Sequence, residues 1–181
     1  IASKNGKIVF VGPNKELIKN VTQMPGCIQI DGKGTTCLPG LVDSHTHLPF
    51  AGSREHEFLL RLKGATYLEL AEKGMGIQST VQKTRQASQS ELLSLCQKRL
   101  DTMLLHGTTT VEAKSGYGLN LKDEIKQLEV LKQADKSHPV DIISTFMGAH
   151  EVPKEFQNKK DEYIKFLTQK IIPEIKKKNL A

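Results

Sequence analysis

The chain has 181 residues, 38% of them apolar, and a formal net charge of +6. That length suits one ordinary domain with a real core, and falls short of the roughly 250 residues of a complete eight-fold α/β barrel. No run approaches the ~18 apolar residues of a membrane span, and no signal peptide follows Ile1-Ala2-Ser3-Lys4, so no membrane partner is expected.

The basic residues are scattered, Trp is absent, and the densest run, Lys176-Lys177-Lys178, closes a helical segment where the helix dipole favours cations. Nucleic acid is therefore not an expected partner, whereas a mildly basic surface suits an anionic small molecule. Cys27, Cys37 and Cys96 form no CxxC and are odd in number, which argues against a disulfide framework and for a reducing, cytoplasmic setting.

Residues 1–36 read as short strands with tight turns, part of a small β-domain. Asn5-Gly6 is a type I′ hairpin signal ahead of the strand Lys7–Val11, which Gly12-Pro13-Asn14 closes. Cys27–Ile30, followed by Asp31-Gly32, is expected to be another strand. Residues 37–181 read as alternating strands and helices.

The first strand carries the apolar run Cys37–Val42 and ends at His45 and His47. A long connection follows, from Leu48 to about Gln78, with one short helix near Tyr67–Glu72. Connections of that length are uncommon unless they serve a site. Ser88–His106 predicts a helix with Leu92, Leu93, Leu95, Cys96, Leu100, Met103 and Leu104 as its apolar stripe and Gly107 as its stop.

Thr108–Ala113 is a second strand, Leu121–Lys136 a helix with Ile125, Leu128, Val130 and Leu131 inward, and Asp141–Met147 a third strand. Asp161–Lys178 is a last helix, kinked or broken at Pro173. This alternation implies right-handed crossovers and a parallel sheet of about three β/α units.

Sites in parallel α/β folds gather at the carboxyl ends of strands. The first strand ends in His45 and His47, which a period of two places on one face. The pair can hold a metal ion, zinc or iron, or can be two satisfied polar side chains. The second strand runs into Lys114-Ser115-Gly116-Tyr117-Gly118 and the third into Gly148-Ala149-His150. Glu112 and Lys114 share a strand face and read as an ion pair. His56, His106 and His138 have no partner at ligand spacing and read as structural or surface residues.

Pro39-Gly40-Leu41-Val42-Asp43-Ser44-His45-Thr46-His47 resembles the metal-binding start of the amidohydrolase superfamily. The segments His45–Arg54, Gly64–Tyr67, Gly76–Val81, Lys114–Leu119 and Gly148–His150 are similar, in order, to the imidazolonepropionase family within it. The resemblance implies a distorted (β/α)8 TIM-like barrel, whose first part is residues 37–181, with residues 1–36 as part of a small β-sandwich domain.

It further implies a hydrolase of histidine degradation, opening the cyclic amide 4-imidazolone-5-propionate to N-formimino-L-glutamate with a metal-activated water. One divalent or trivalent ion, zinc or iron, and a homodimeric assembly come with it. His45 and His47 match two metal ligands, Arg54 the arginine that binds the propionate, Tyr117 and His150 substrate contacts, and Tyr67 a weaker one. The plain alternatives are an ion pair of Arg54 with Glu55 or Glu57, loop packing for Tyr117, a satisfied polar role for His150 and core packing for Tyr67.

The family's third metal histidine, its metal aspartate and the glutamate that serves as general acid/base match no position here, and Glu151 and Glu155 do not fit that pattern. No catalytic residue is therefore expected within these residues: the glutamate is expected beyond Ala181, and the 181 residues alone are expected to be inactive. The competing readings are another metal-dependent amidohydrolase, deaminase or dihydroorotase-like, and a non-catalytic half-barrel fragment.

Overall fold

A computed structural model of the chain describes every residue except Lys73, and side chains throughout its helices and strands except those of Tyr67 and Ala71. Backbone contacts divide it into two units, Ile1–Leu38 and Pro39–Ala181.

In the first unit, β1 (Ala2–Lys4) and β2 (Lys7–Phe10) form an antiparallel hairpin. Asn5 and Gly6 both have positive φ, 52° and 72°, as a type I′ turn demands. Two expectations fail here. Asn14–Asn20 is a helix, α1, whose start is fixed by Pro13: its carbonyl accepts from Glu16 and Leu17, and its preset φ suits a helix entry. Cys27–Ile30 joins no ladder, and Ile28 and Ile30 are exposed. An alternating pattern becomes a strand only where a neighbour takes up its N–H and C=O groups.

The second unit is α/β. Strands β3 (Leu41–Thr46), β4 (Thr108–Lys114) and β5 (Asp141–Thr145) form a parallel sheet in the order β3-β4-β5, as the alternation implies. The first strand begins later than its apolar run because Leu41 N–H, donating to Gly107, opens the pairing with β4. Gly40 lies so close to Thr109 that a Cβ there would collide with its side chain. Among the described residues β3 and β5 each pair on one side only, and Leu41, Val42 and Ile143 are exposed.

The core lies where α5 (Gln89–Leu105) and α6 (Leu121–Ser137) cover β4. Leu92, Cys96 and Leu100 recur one turn apart on α5. They are fully buried, as are Val111, Ala113, Leu128, Leu131 and Ala134. Each buried leucine contributes roughly 1.5–3 kcal/mol. Ser88 caps α5 by accepting from Glu91 N–H. Burial pushes the Cys96 thiol up to about 12, leaving it an inert packing residue.

Two further elements depart from expectation. The stretch after His47 contains not one helix but three: α2 (Glu55–Leu62), α3 (Tyr67–Glu72) and α4 (Ile77–Gln86). The outer two are short: α2 sets Phe58, Leu59 and Leu62 on one face but buries none of them, and α4 has only Ile77 and Val81 as apolar residues, so neither stands out as a core helix. The kink or break expected at Pro173 takes the form of a local distortion in a continuous helix. α7 (Lys160–Phe166) passes through a π turn (Leu167–Ile171) into α8 (Ile172–Lys178). Proline lacks an N–H and crowds the carbonyl four residues back, and the widened turn just before Pro173 absorbs both.

Candidate active site

The parallel sheet brings the ends of its strands to one edge. His47, directly after β3, stacks on His150 with ring centroids 4.7 Å apart and planes at 15°. Tyr117, in the loop after β4, meets His47 at 5.0 Å and His150 at 5.2 Å, and His45 stands 5.7 Å from His47. Three loops remote in sequence thus supply one cluster of rings. Burial, and secondarily the facing His150, push the His47 imidazole down to about 4, so it is neutral near pH 7. Its Nδ1 is buried without a hydrogen-bond partner. Burial also raises the Tyr117 hydroxyl.

The loop after β4 is held from both sides. Ser115 is fully buried and its hydroxyl accepts from Met147 N–H. The His150 ring Nδ1 lies 3.0 Å from the Gly116 carbonyl, to which it donates as the Nδ1–H tautomer. Gly116 has φ 110°, and a Cβ there would sit 2.8 Å from the Met147 carbonyl and 3.0 Å from His150 Cβ, so only glycine lets the third loop close in. Behind the loop, Gln127 Oε1 accepts from Tyr117 N–H, and Glu124 Oε1 from Gly118 and Leu119 N–H.

Beside the rings lies a cleft of about 370 Å³, lined in part by Phe50, Arg54, Thr80, Arg99 and Tyr117. Arg54 is exposed at the entry to α2, and Phe50 faces Tyr117 at 5.9 Å. The Arg99 guanidinium lies 3.6 Å over the Phe50 ring while donating to the Leu48 and Phe50 carbonyls. Arg54 and Tyr117 thus share a cleft, and His45, His47, Tyr117 and His150 share a cluster. The Tyr67 side chain lies outside the described residues.

Glu112 and Lys114 form the expected ion pair, with Thr145 also donating to Glu112, and these bonds hold the Glu112 carboxyl below its ordinary range. His138 contacts Asp101 at 3.2 Å, His106 the Thr102 carbonyl, and His56 is exposed. Glu155 pairs with Arg85 at 2.7 Å, and Glu151 accepts from Val152 N–H. Among the described residues no group of three or more His, Cys, Asp or Glu could hold a metal ion. Sequence reasoning missed Arg99, Glu124 and Gln127. Their signal is position, since Glu124 and Gln127 fall on the same α6 stripe as Leu128 and Leu131.

A parallel α/β sheet with imidazole and phenol rings gathered at its carboxyl edge defines an α/β protein whose site is assembled from strand-end loops. No family model matches the chain. It is 52% identical over 179 residues to the imidazolonepropionase of Geobacillus kaustophilus, covering 98% of this chain and 42% of that protein. The corresponding protein of Symbiobacterium thermophilum is 49% identical, over 97% of this chain and 41% of its own length. That of Treponema denticola is 54% identical, over 84% and 37%. By sequence the chain belongs to the imidazolonepropionase family, and it spans about two fifths of the length of these curated relatives.

Proposed function

We propose that this chain supplies part of the active site of an enzyme that hydrolyses 4-imidazolone-5-propionate to N-formimino-L-glutamate in histidine degradation. Identity of 47–54% to imidazolonepropionases, over 84–100% of the chain, carries this reading. The proposal extends to the fold: residues 37–181 as the first units of a (β/α)8 barrel, residues 1–36 as part of a small β-sandwich domain, and a homodimeric assembly.

The donor set supports a metal ion in part. His45 and His47 are adjacent imidazoles, and His47 is neutral at physiological pH with a buried, unpartnered nitrogen, as a ligand must be. These two residues would hold a zinc or iron ion, with further donors required. When bound, such an ion lowers the pKa of a water molecule and polarises a carbonyl.

The chain's own residues bind and orient. Arg54, at the mouth of the cleft, offers a planar pair of donors to the propionate carboxylate. Tyr117 and His150 belong to the ring cluster and offer a hydroxyl and, since the His150 Nδ1–H is spent on the Gly116 carbonyl, an imidazole Nε2 acceptor to a flat heterocycle. Phe50, capped by Arg99, keeps water from one wall. No residue here is assigned the general acid/base role.

The test is turnover of imidazolonepropionate by the polypeptide that carries this chain, after loading with zinc or iron. The expected result is ring opening, which is lost when residues 1–181 are assayed alone. Absence of turnover in the loaded polypeptide overturns the proposal.

A further inference from the structure

Gln127 is fully buried on α6, among Leu128, Leu131 and the rest of the apolar core, where an amide is costly unless both its ends are bonded. Both are. Its Nε2 donates to the Pro49 carbonyl at 2.7 Å, and its Oε1 accepts from Tyr117 N–H at 3.2 Å. Pro49 belongs to the loop after β3, which runs from His47 toward Arg54, and Tyr117 to the loop after β4.

Three other main-chain groups of the first loop are held by side chains as well. Arg99 takes the Leu48 and Phe50 carbonyls, and the Thr84 hydroxyl accepts from Ala51 N–H. Helix α4 reaches both loops through two residues, Thr84 at Ala51 N–H and Arg85 at the Gly118 carbonyl, and among the described residues Gln127 is the single side chain hydrogen-bonded to both. A carboxamide suits this position because it offers a donor and an acceptor on one rigid plane.

We infer that Gln127 is a positioning residue that sets the spacing between the Leu48–Ala51 loop and the Tyr117 loop, and with it the width of the substrate cleft. The inference rests on the proposed function for its catalytic consequence, though not for the bridge itself. Phe50 and Tyr117 both line the cleft and meet edge-to-face at 5.9 Å, so a shift in either loop changes the shape of the wall that a flat substrate would lie against. Displacements of about 1 Å remote from the chemistry cost up to roughly 100-fold in rate.

The experiment compares Gln127→Met, which keeps the volume and removes both bonds, with Gln127→Glu, which keeps the acceptor facing Tyr117 and, once ionised at high pH, loses the donor to Pro49. Both are made in the metal-loaded polypeptide that carries this chain, with kcat, KM, metal content and hydrogen exchange as readouts.

For Gln127→Met the expected result is a fall in kcat/KM of roughly tenfold or more. Metal content is unchanged, exchange is faster at the Tyr117 amide, and the α5 amides near Leu92–Leu100 keep their protection. Gln127→Glu is expected to lose kcat/KM at high pH while Tyr117 stays protected.

A folded Gln127→Met protein with wild-type kcat/KM and wild-type exchange at Tyr117 overturns the inference. So does a loss of protection spread evenly over the chain with kcat/KM per folded molecule unchanged. If Gln127→Met does not fold, Gln127→Glu at high pH decides, and wild-type kcat/KM there is the overturning result. If the unsubstituted protein opens no imidazolonepropionate, the proposed function falls instead, and exchange at Tyr117 alone decides the bridge.

Discussion

Behind the sheet, α5 and α6 meet β4 through Leu92, Cys96, Leu100, Leu128 and Leu131. At its carboxyl edge the same two helices reach the loops through Arg99, Glu124 and Gln127. The first contact is non-directional and scales with buried area, so it holds the layers together without dictating where a loop atom stands. The second is directional. Each bond fixes a named carbonyl or amide, and a missing partner leaves a buried polar group stranded. One helix pair therefore carries two separable properties, stability in its apolar rows and geometry in its polar ones.

That separation can be broken by substitution. The largest effect is expected from His47→Ala, which removes a central ring. Turnover by the loaded polypeptide should fall by more than the roughly 100-fold typical of residues that only support a ligand, with metal content falling in parallel. Leu128→Ala probes the apolar row. It should cost about 2–5 kcal/mol in denaturant unfolding and leave KM of the folded enzyme unchanged, and a shifted KM would show that the two contacts are not separable.

Arg54→Lys keeps the charge and loses the planar fork. The ~1.5–3 kcal/mol of a charge-assisted bond corresponds to roughly a 10–100-fold rise in KM, with stability untouched.

Glu124 gives a test by pH. Burial raises its carboxyl pKa above the usual glutamate range. The folded chain then holds a proton that the unfolded chain has already released, so this contribution is complete below the unfolded value and is lost as pH rises through the folded one. Glu124→Gln, which keeps an acceptor for Gly118 and Leu119, should remove that decline from unfolding curves measured from below the ordinary glutamate pKa upward. Ser88→Ala is the smallest change: the lost cap should cost about 0.5–2 kcal/mol, measured by thermal or denaturant unfolding, with no change in KM.

The apolar rows were legible in the sequence because they repeat with the helix. Leu92, Cys96 and Leu100 announce α5, and the β-branched Thr108–Val111 announces β4. The strand-end histidines and Tyr117 were legible as motifs, and the parallel order follows from strand–helix alternation. The polar rows were not legible. Arg99, Glu124 and Gln127 are residue types usually met on a solvated helix face, and only their place on a buried stripe marks them. Helices α2 and α4 were missed because they are short and their few apolar residues do not extend into a long stripe. Cys27–Ile30 errs the other way, as an alternating pattern with no partner strand among the described residues.

The sheet's one-sided pairing has a practical consequence for anyone preparing these 181 residues as a separate piece. Among the described residues β3 and β5 each have one border without a strand partner, flanked by exposed Leu41, Val42 and Ile143, although side chains take the Ile142 and His45 amides. Bare strand borders of this kind are templates for intermolecular growth. The isolated piece should accordingly self-associate as its concentration rises, and its yield will depend on giving those borders something to hold.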